Sequence, residues 1–391
     1  MSAVRLDFKP AHVLKGKRII FVLGSLELGG AERQALILAK YLSEQEQAIV
    51  EVWGFNHSGP VNPICEEYGL AWRVVSYPFS ATSLTRLASL SRLAWMLRRA
   101  GPDILLSYTL VPNVACGLVW RWTGAQLCVW NQRDEGFPPF GSELEYRAVK
   151  RIPQFISNSQ QGARFLIDKL KVSPARVGVI NNGVDSLVPK MNRSAWRDHL
   201  ELDDQTFVAC MVANLHKNKD HQTLLRAWRN VVTSLEERGR KAVLLLAGKY
   251  DDSYESLVAL SRELSITNSI HFLGHVSDIA GLLGAVDISI LSSRSEGCPN
   301  GILESMACGL AVAGTNTTGI KETLGPASTS HLAPPGEAEA LAEIVLKLAN
   351  DPGLCSRIGA ANQNRARSEY GAVSMCKQTV SLLLSLIERE I

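Results

Sequence analysis

Cysteine pairs, signal-like apolar runs and strong net charge are all missing from this chain. Its eight cysteines stand at 65, 116, 128, 210, 298, 308, 355 and 376, with no Cys-x-x-Cys pair. That scatter argues against a structural zinc site or a disulfide framework and for free thiols in a reducing compartment. The 41 Lys and Arg exceed the 38 Asp and Glu by only +3, too little to point to nucleic acid. Residues 1–18 lack the apolar core of a signal peptide. The longest apolar tract, 104–120, is broken by Pro112 and Asn113 and flanked by Asp103 and Arg121. It reads as a strand, a turn and a helix, not a membrane span. A cytoplasmic protein is expected. What remains is 391 residues, 46% hydrophobic and 20% charged, the composition of a soluble chain with two domains.

Apolar, β-branched runs alternate with helical periodicity. "RIIFVLGSL" (18–26), "AIVEVWGF" (48–55), "DILLSYT", "AQLCVWNQ" and "QFISNS" read as strands, and 86–101 reads as a helix ended by Gly101-Pro102. A second cycle begins near 206 with "TFVACMVANL", "HQTLLRAWRNVV", "AVLLLAGK", "SIHFLGHV" and "DISILSS". The alternation predicts α/β architecture: two doubly wound, Rossmann-like domains facing each other across a cleft. The expected boundaries are 1–186 for an N-terminal domain and 187–368 for a C-terminal domain. A helix over 369–391 is expected to pack back on the first. The Asn-, Gly- and Pro-rich stretch 181–190 reads as the linker.

The stretch "SEGCPNGILESMACGLAV" (295–312) sets Glu296 and Glu304 on either side of Pro299, Asn300 and Gly301. Pro299 and Asn300 suit the entry to a helix, and Gly301 lets backbone approach a ligand. Ile302 with Met306, and Leu303 with Ala307, form i, i+4 pairs that bury one face. The first amides of such a helix suit a phosphate. The carboxylates suit vicinal hydroxyls, because they accept hydrogen bonds and donate none. The bland alternative is a capping glutamate and a surface glutamate.

This stretch resembles the E-x7-E motif of retaining, GT-B-fold glycosyltransferases of family 4. "LGGAER" (28–33), "VINNGVD" (179–185), "VANLHKNKDHQTLLRA", "IHFLGHVSDI", "TGIKETL" and "LAPPGEAEALAEIV" resemble that family's other motifs, in order. The resemblance implies transfer of a hexose or N-acetylhexosamine from a nucleotide sugar, UDP-linked first, to a glycan, lipid-linked glycan or small-molecule hydroxyl, as in bacterial surface polysaccharide or glycoconjugate biosynthesis. It implies that Glu296 contacts the sugar and Glu304 the ribose. The backbone of Asn300, Gly301, Ile302 and Leu303 would hold sugar and diphosphate, Lys219 would neutralise the diphosphate, Gly30 would approach it, and the backbone near His275 and Val276 would meet the base. No metal or other cofactor is implied. Retention by a front-side route, the leaving phosphate taking the acceptor's proton, needs no protein nucleophile, and no nucleophile–base pair stands out here.

Two departures from the family pattern bear on activity. Asn214 stands where the family often has Arg, with His216 or Lys217 as candidate compensation. No aligned His accompanies "LCVWNQRDEG", so Asn131, Gln132 and Arg133 become acceptor-side candidates, Arg133 alternatively pairing with Asp134 or Glu135. "YDDS" (250–253) reads as a turn and not a metal site. Leu87, Leu90, Ala94 and Leu97 line one face of the basic helix 86–99, with Arg92 and Arg99 opposite and Trp95 nearby. That helix either faces an acidic membrane or is an ordinary domain helix. A nucleotide-sugar epimerase and a non-catalytic sugar-nucleotide binder are the rival functions.

Overall fold

A computed structural model describes residues 12–78, 83–134, 136, 143–185 and 187–388. The chain divides into two compact units, one of residues 1–181 with 372–391 and the other of residues 182–371.

In the first unit the strands are β1 (Arg18–Leu23), β2 (Ile49–Phe55), β3 (Ala71–Val75), β4 (Ile104–Tyr108), β5 (Leu127–Gln132), β6 (Gln154–Ser157) and β7 (Val177–Val179). They form one parallel sheet in the order β3-β2-β1-β4-β5-β6-β7. The intervening helices are α1 (Gly30–Glu44), α2 (Val61–Glu67), α3 (Ser83–Ala100), α4 (Leu110–Val119), α5 (Glu143–Arg151) and α6 (Gln160–Asp168), with a 3-10 turn at Trp120–Trp122. Alternation along β1 explains why its run after the exposed Arg18 is wholly apolar. Ile19, Phe21 and Leu23 join the core on one face of the sheet. Ile20 and Val22 join Trp53, Leu93 and Leu97 on the other.

The expected turn at Pro112–Asn113 lies inside α4. Proline is tolerated there because first-turn amides have no intrahelical acceptor to lose. On α3 the inward face is Leu93, Ala94 and Leu97, whereas Leu87 is 63% exposed. The stripe expected from Leu87 to Leu97 is therefore a core-facing one, rotated away from Leu87.

In the second unit α7 (Arg193–His199) precedes β8 (Phe207–Val212), α8 (His221–Glu236), β9 (Ala242–Ala247), α9 (Tyr254–Glu263), β10 (Ile270–Gly274), α10 (Ile279–Ala285) and β11 (Ile288–Leu291). There follow α11 (Asn300–Ala307), β12 (Ala311–Thr315), α12 (Thr318–Leu324), β13 (Leu332–Ala333), α13 (Ala338–Asn350) and α14 (Pro352–Glu369). This sheet is also parallel, in the order β10-β9-β8-β11-β12-β13. The last helix, α15 (Ala372–Ile387), belongs to the first unit and packs on α1. All eight cysteines are free thiols. Burial pushes the Cys116 thiol up to about 12.

Candidate active site

Strand direction decides where chemistry can gather in the second unit. All its strands run the same way, so the loops after β8, β9, β10 and β11 emerge at one edge of the sheet. Lys219 follows β8, Tyr250 follows β9, His275 and Val276 follow β10, and Glu296 and the start of α11 follow β11.

The loop after β8 is fixed from two sides. Asp220 adopts left-handed φ 47° and ψ 41°. Its buried carboxylate meets Arg294 Nε at 3.2 Å and accepts from Thr223 Oγ1 at 2.9 Å. Ser292 Oγ donates to the carbonyls of Lys219 and Asp220, and Ser293 Oγ to that of Asn218. This lacing of the β11 end onto the β8 loop delivers Lys219 Nζ to Glu296 Oε1, 2.5 Å away. The Glu296 side chain is 9% exposed and that of Lys219 28%. The two groups that resemblance assigns to different parts of a ligand are thus each other's partner.

Helix α11 opens at Asn300 with Pro299 as a cap that offers no side-chain bond. The Ile302 and Leu303 amides both donate to the Pro299 carbonyl, at 3.1 and 3.2 Å. The Gly301 amide belongs to the first turn, whose amides have no acceptor one turn earlier in the helix. Ile302, Leu303 and Met306 bury their side chains in the core. Gly301 has a different reason from the one expected. A Cβ there would collide with the Val212 carbonyl oxygen, so glycine is what lets the helix start lie against the end of β8. Gly319 acts alike under the 296–297 backbone, where a Cβ would strike the Glu296 and Gly297 carbonyls. Glu304 lies one turn into α11, partly buried.

Asn214 accepts from the Lys249 amide at 3.1 Å through Oδ1. Its amide side chain thereby ties the β8 loop to the β9 loop. His216 caps the turn before α8, accepting from Asn218 N at 3.2 Å. Asp252 of "YDDS" accepts from the Lys217 amide at 3.0 Å, a turn-capping role. Tyr250 stacks on Tyr254 at 4.0 Å and donates to the Phe272 carbonyl, standing beside Gly274 and hence next to His275. His275 is exposed and Val276 partly so.

Sequence reasoning passed over Asn182. It donates to the Cys298 carbonyl at 2.7 Å and to Asn300 Oδ1 at 2.8 Å. The "NNGVD" motif thus props the entry to α11, and its second Asn was the available signal. His221, also passed over, is 2% exposed with neither ring nitrogen partnered. Burial first, and then the Lys219 ammonium, hold its pKa down at about 4.

In the first unit Gly30 is the exposed first residue of α1, after the Gly29 cap. Glu32 turns back on this helix start, a Cβ on Gly29 lying 2.7 Å from its carboxylate. Burial raises the Glu32 pKa against hydrogen bonds from its own and the Gly29 amide. Asn131 and Gln132 are buried and internally committed. Asn131 donates to the Ser107 carbonyl, and Gln132 joins Trp130 and Asp134. Arg133 lies over the Tyr108 ring at 4.7 Å and donates to Asn131 Oδ1 at 3.3 Å. Glu135 lies outside the described residues. Thr109, at the exit of β4, has φ 68° and ψ 166°. That conformation is strained for a β-branched residue, at roughly 1–3 kcal/mol.

Two tandem parallel α/β units, with charged loops on the strand exits of the second, define the GT-B class of glycosyltransferase. Comparison with known proteins agrees. Residues 28–186 match "Glycosyltransferase Family 4" and residues 192–365 match "Glycosyl transferases group 1". The chain belongs to this family-4-like group of hexosyltransferases. It is 27% identical to N-acetyl-alpha-D-glucosaminyl L-malate synthase of Bacillus anthracis, over 75% of this chain and 77% of that one. It is 23% identical to an Escherichia coli UDP-Gal:alpha-D-GlcNAc-diphosphoundecaprenol alpha-1,3-galactosyltransferase, over 67% of this chain and 70% of that one. Similarity to a Corynebacterium glutamicum mannosyltransferase, at 25% identity, spans 50% of this chain and 51% of the relative. The fold is similar to Anabaena HepE in complex with UDP and glucose, with TM-score 0.82 and 22% identity over 94% of this chain and 100% of that one. No helix among the described residues is long and apolar enough to cross a membrane.

Proposed function

We propose that the protein transfers a hexose or N-acetylhexosamine, with retention, from a UDP-sugar to a hydroxyl of a glycan or lipid-linked glycan. The setting is bacterial polysaccharide or glycoconjugate synthesis at the cytoplasmic face of an anionic membrane. The carrying observation is the meeting of Lys219 with Glu296 at 2.5 Å beside the opening of α11.

In such a reaction the bond from the anomeric carbon to phosphate breaks and a bond to the acceptor oxygen forms. The acceptor's proton passes to the departing phosphate. Negative charge grows on the diphosphate, and the Lys219 ammonium and the Gly301 amide are the groups placed to meet it. Electrostatic elements of this kind contribute about 3 kcal/mol each. Glu296 takes the sugar's hydroxyls and Glu304 the ribose. Lys219 exchanges its carboxylate partner for phosphate as donor binds. No metal is needed in this scheme, because the ammonium and the helix supply the positive charge. The named UDP-galactosyltransferase relative and the UDP complex of the fold relative support UDP as the nucleotide.

The test is incubation with a panel of UDP- and GDP-sugars, with and without lipid extract, followed by NMR of the product's anomeric centre. The expected result is acceptor-dependent transfer from a UDP-sugar with retained configuration. Conversion of donor without acceptor identifies an epimerase instead, and binding without turnover a sugar-nucleotide binder.

A further inference from the structure

Charge is unevenly placed on the first unit. Helix α3, the Trp120–Trp122 turn and α5 together carry eight Arg or Lys against two Glu. Those 30 residues thus hold a net +6, whereas the whole chain holds +3. One of the two acids, Glu145, is buried, and the other, Glu143, is paired with Arg147 at 2.6 Å. The three elements adjoin: α3 packs on α4 and the turn, and α4 packs on α5.

Large rings stand out of the same surface. Trp95 and Trp122 are each 59% exposed and Tyr146 is 48% exposed. Each has a cation over it: Arg99 over Trp95 at 5.5 Å, Arg151 over Trp122 at 5.7 Å and Lys150 over Tyr146 at 5.1 Å. The outward half of α3 bears Arg92, Trp95 and Arg99, opposite its buried Leu93 and Leu97. Beside it a groove of about 480 Å³ is bordered by Arg73 and Arg92, with Glu51 as its acid. Glu51 is engaged by Trp53 Nε1 at 2.7 Å and by Arg73 at 3.9 Å.

We infer that this α3–turn–α5 face docks on an anionic phospholipid surface, with Trp95 and Trp122 at headgroup depth and the arginines on the phosphates. Indole and phenol rings favour the boundary between water and hydrocarbon. Clustered Arg and Lys favour acidic headgroups, with a strength that falls as salt rises. A soluble anion would use the cations but not the outward tryptophans. The inference rests on the proposal that the enzyme works at a membrane, and it locates the contact away from the apolar stripe of α3.

The experiment is flotation of the full chain with phosphatidylcholine vesicles, with and without about 30 mol % phosphatidylglycerol, at low and high salt. Arg92→Glu/Arg99→Glu and Trp95→Ala/Trp122→Ala double variants run alongside. All four positions are exposed, so melting temperatures are expected to match the parent. The expected result is binding to acidic vesicles only, weakened on the order of tenfold by salt and by either double variant. Equal binding to neutral vesicles, no binding at all, or binding untouched by the variants overturns the inference. Calorimetric titration of UDP on the same samples judges the donor proposal separately. UDP affinity without vesicle binding sinks only the docking face, and vesicle binding without UDP affinity sinks only the donor proposal.

Discussion

Lys219 and Glu296 lie 77 residues apart in the chain and 2.5 Å apart in space. Each can therefore be tested through the other. Lys219→Ala is expected to lower kcat by about 100-fold, since it removes the cation that meets the leaving diphosphate. It also strands a carboxylate that is 9% exposed. With Lys219 itself partly solvated, the stability cost is expected to be modest, about 1 kcal/mol. Adding Glu296→Gln is expected to recover that stability but none of the activity, in a double-mutant cycle read by urea melts and turnover. Full turnover by folded Lys219→Ala contradicts the assignment. His221 offers a pH test. Its folded pKa of about 4 lies below the ordinary 6.5, so the neutral form is the stable one. Stability is complete above pH 6.5 and is lost as pH falls towards 4, by about 3 kcal/mol in all. His221→Leu is expected to flatten that part of the acid slope. An unchanged slope from pH 7 to 4.5 would place the acid sensitivity elsewhere.

Elements show what was legible in the sequence and what was not. β1 and β8 are apolar along nearly their whole length because both faces are covered, and such runs are readable without tertiary knowledge. β3, an edge strand, escaped because its five residues are too few to show a period, Arg73 interrupts the apolar run, and apolar Ala71 and Trp72 are exposed with it. α11 was readable from its Ile302, Leu303 and Met306 spacing, while the reason for Gly301 was not. A glycine reserved for a ligand and one reserved for a neighbouring carbonyl look alike in sequence. The Lys219–Glu296 pairing and the Asn182 prop under Asn300 were hidden for a similar reason, since both arise from loops distant in the chain. The distinction is testable. Gly301→Ala is expected to push α11 off Val212, costing roughly 1–3 kcal/mol, and to weaken UDP binding in parallel. Were Gly301 needed only for ligand approach, its alanine variant would melt like the parent and lose affinity alone. Thermal melts beside UDP calorimetry separate these cases.

Chain connectivity sets an asymmetry at the scale of the whole molecule. Residues 182–371 form one unit from a single continuous stretch, whereas the other unit needs 372–391 to return to it. The returning helix α15 buries Met375, Val380, Leu383 and Leu384 in the same core as Phe21 and Leu36. At about 1.5–3 kcal/mol for each large apolar side chain, that burial is of the order of a domain's entire net stability. A chain ending at Gly371 is therefore expected to lose the first unit as a cooperative structure, although none of the proposed donor-site residues in the second unit has been removed. The complementary fragment, 182–371, keeps its own core around Trp228, Leu244 and Met306. It also keeps Val184 pinned to Tyr370, whose carbonyl accepts the Val184 amide at 2.7 Å. It is expected to unfold in one calorimetric transition. Its UDP affinity is expected to be measurable, because Lys219, Glu296, Gly301 and Glu304 all lie inside it, while sugar transfer is lost with the first unit. Calorimetry on the two truncations decides the matter. A first unit that melts normally without α15 would show the returning helix to be dispensable, and a 182–371 fragment that folds yet ignores UDP would place the nucleotide's contacts outside this unit.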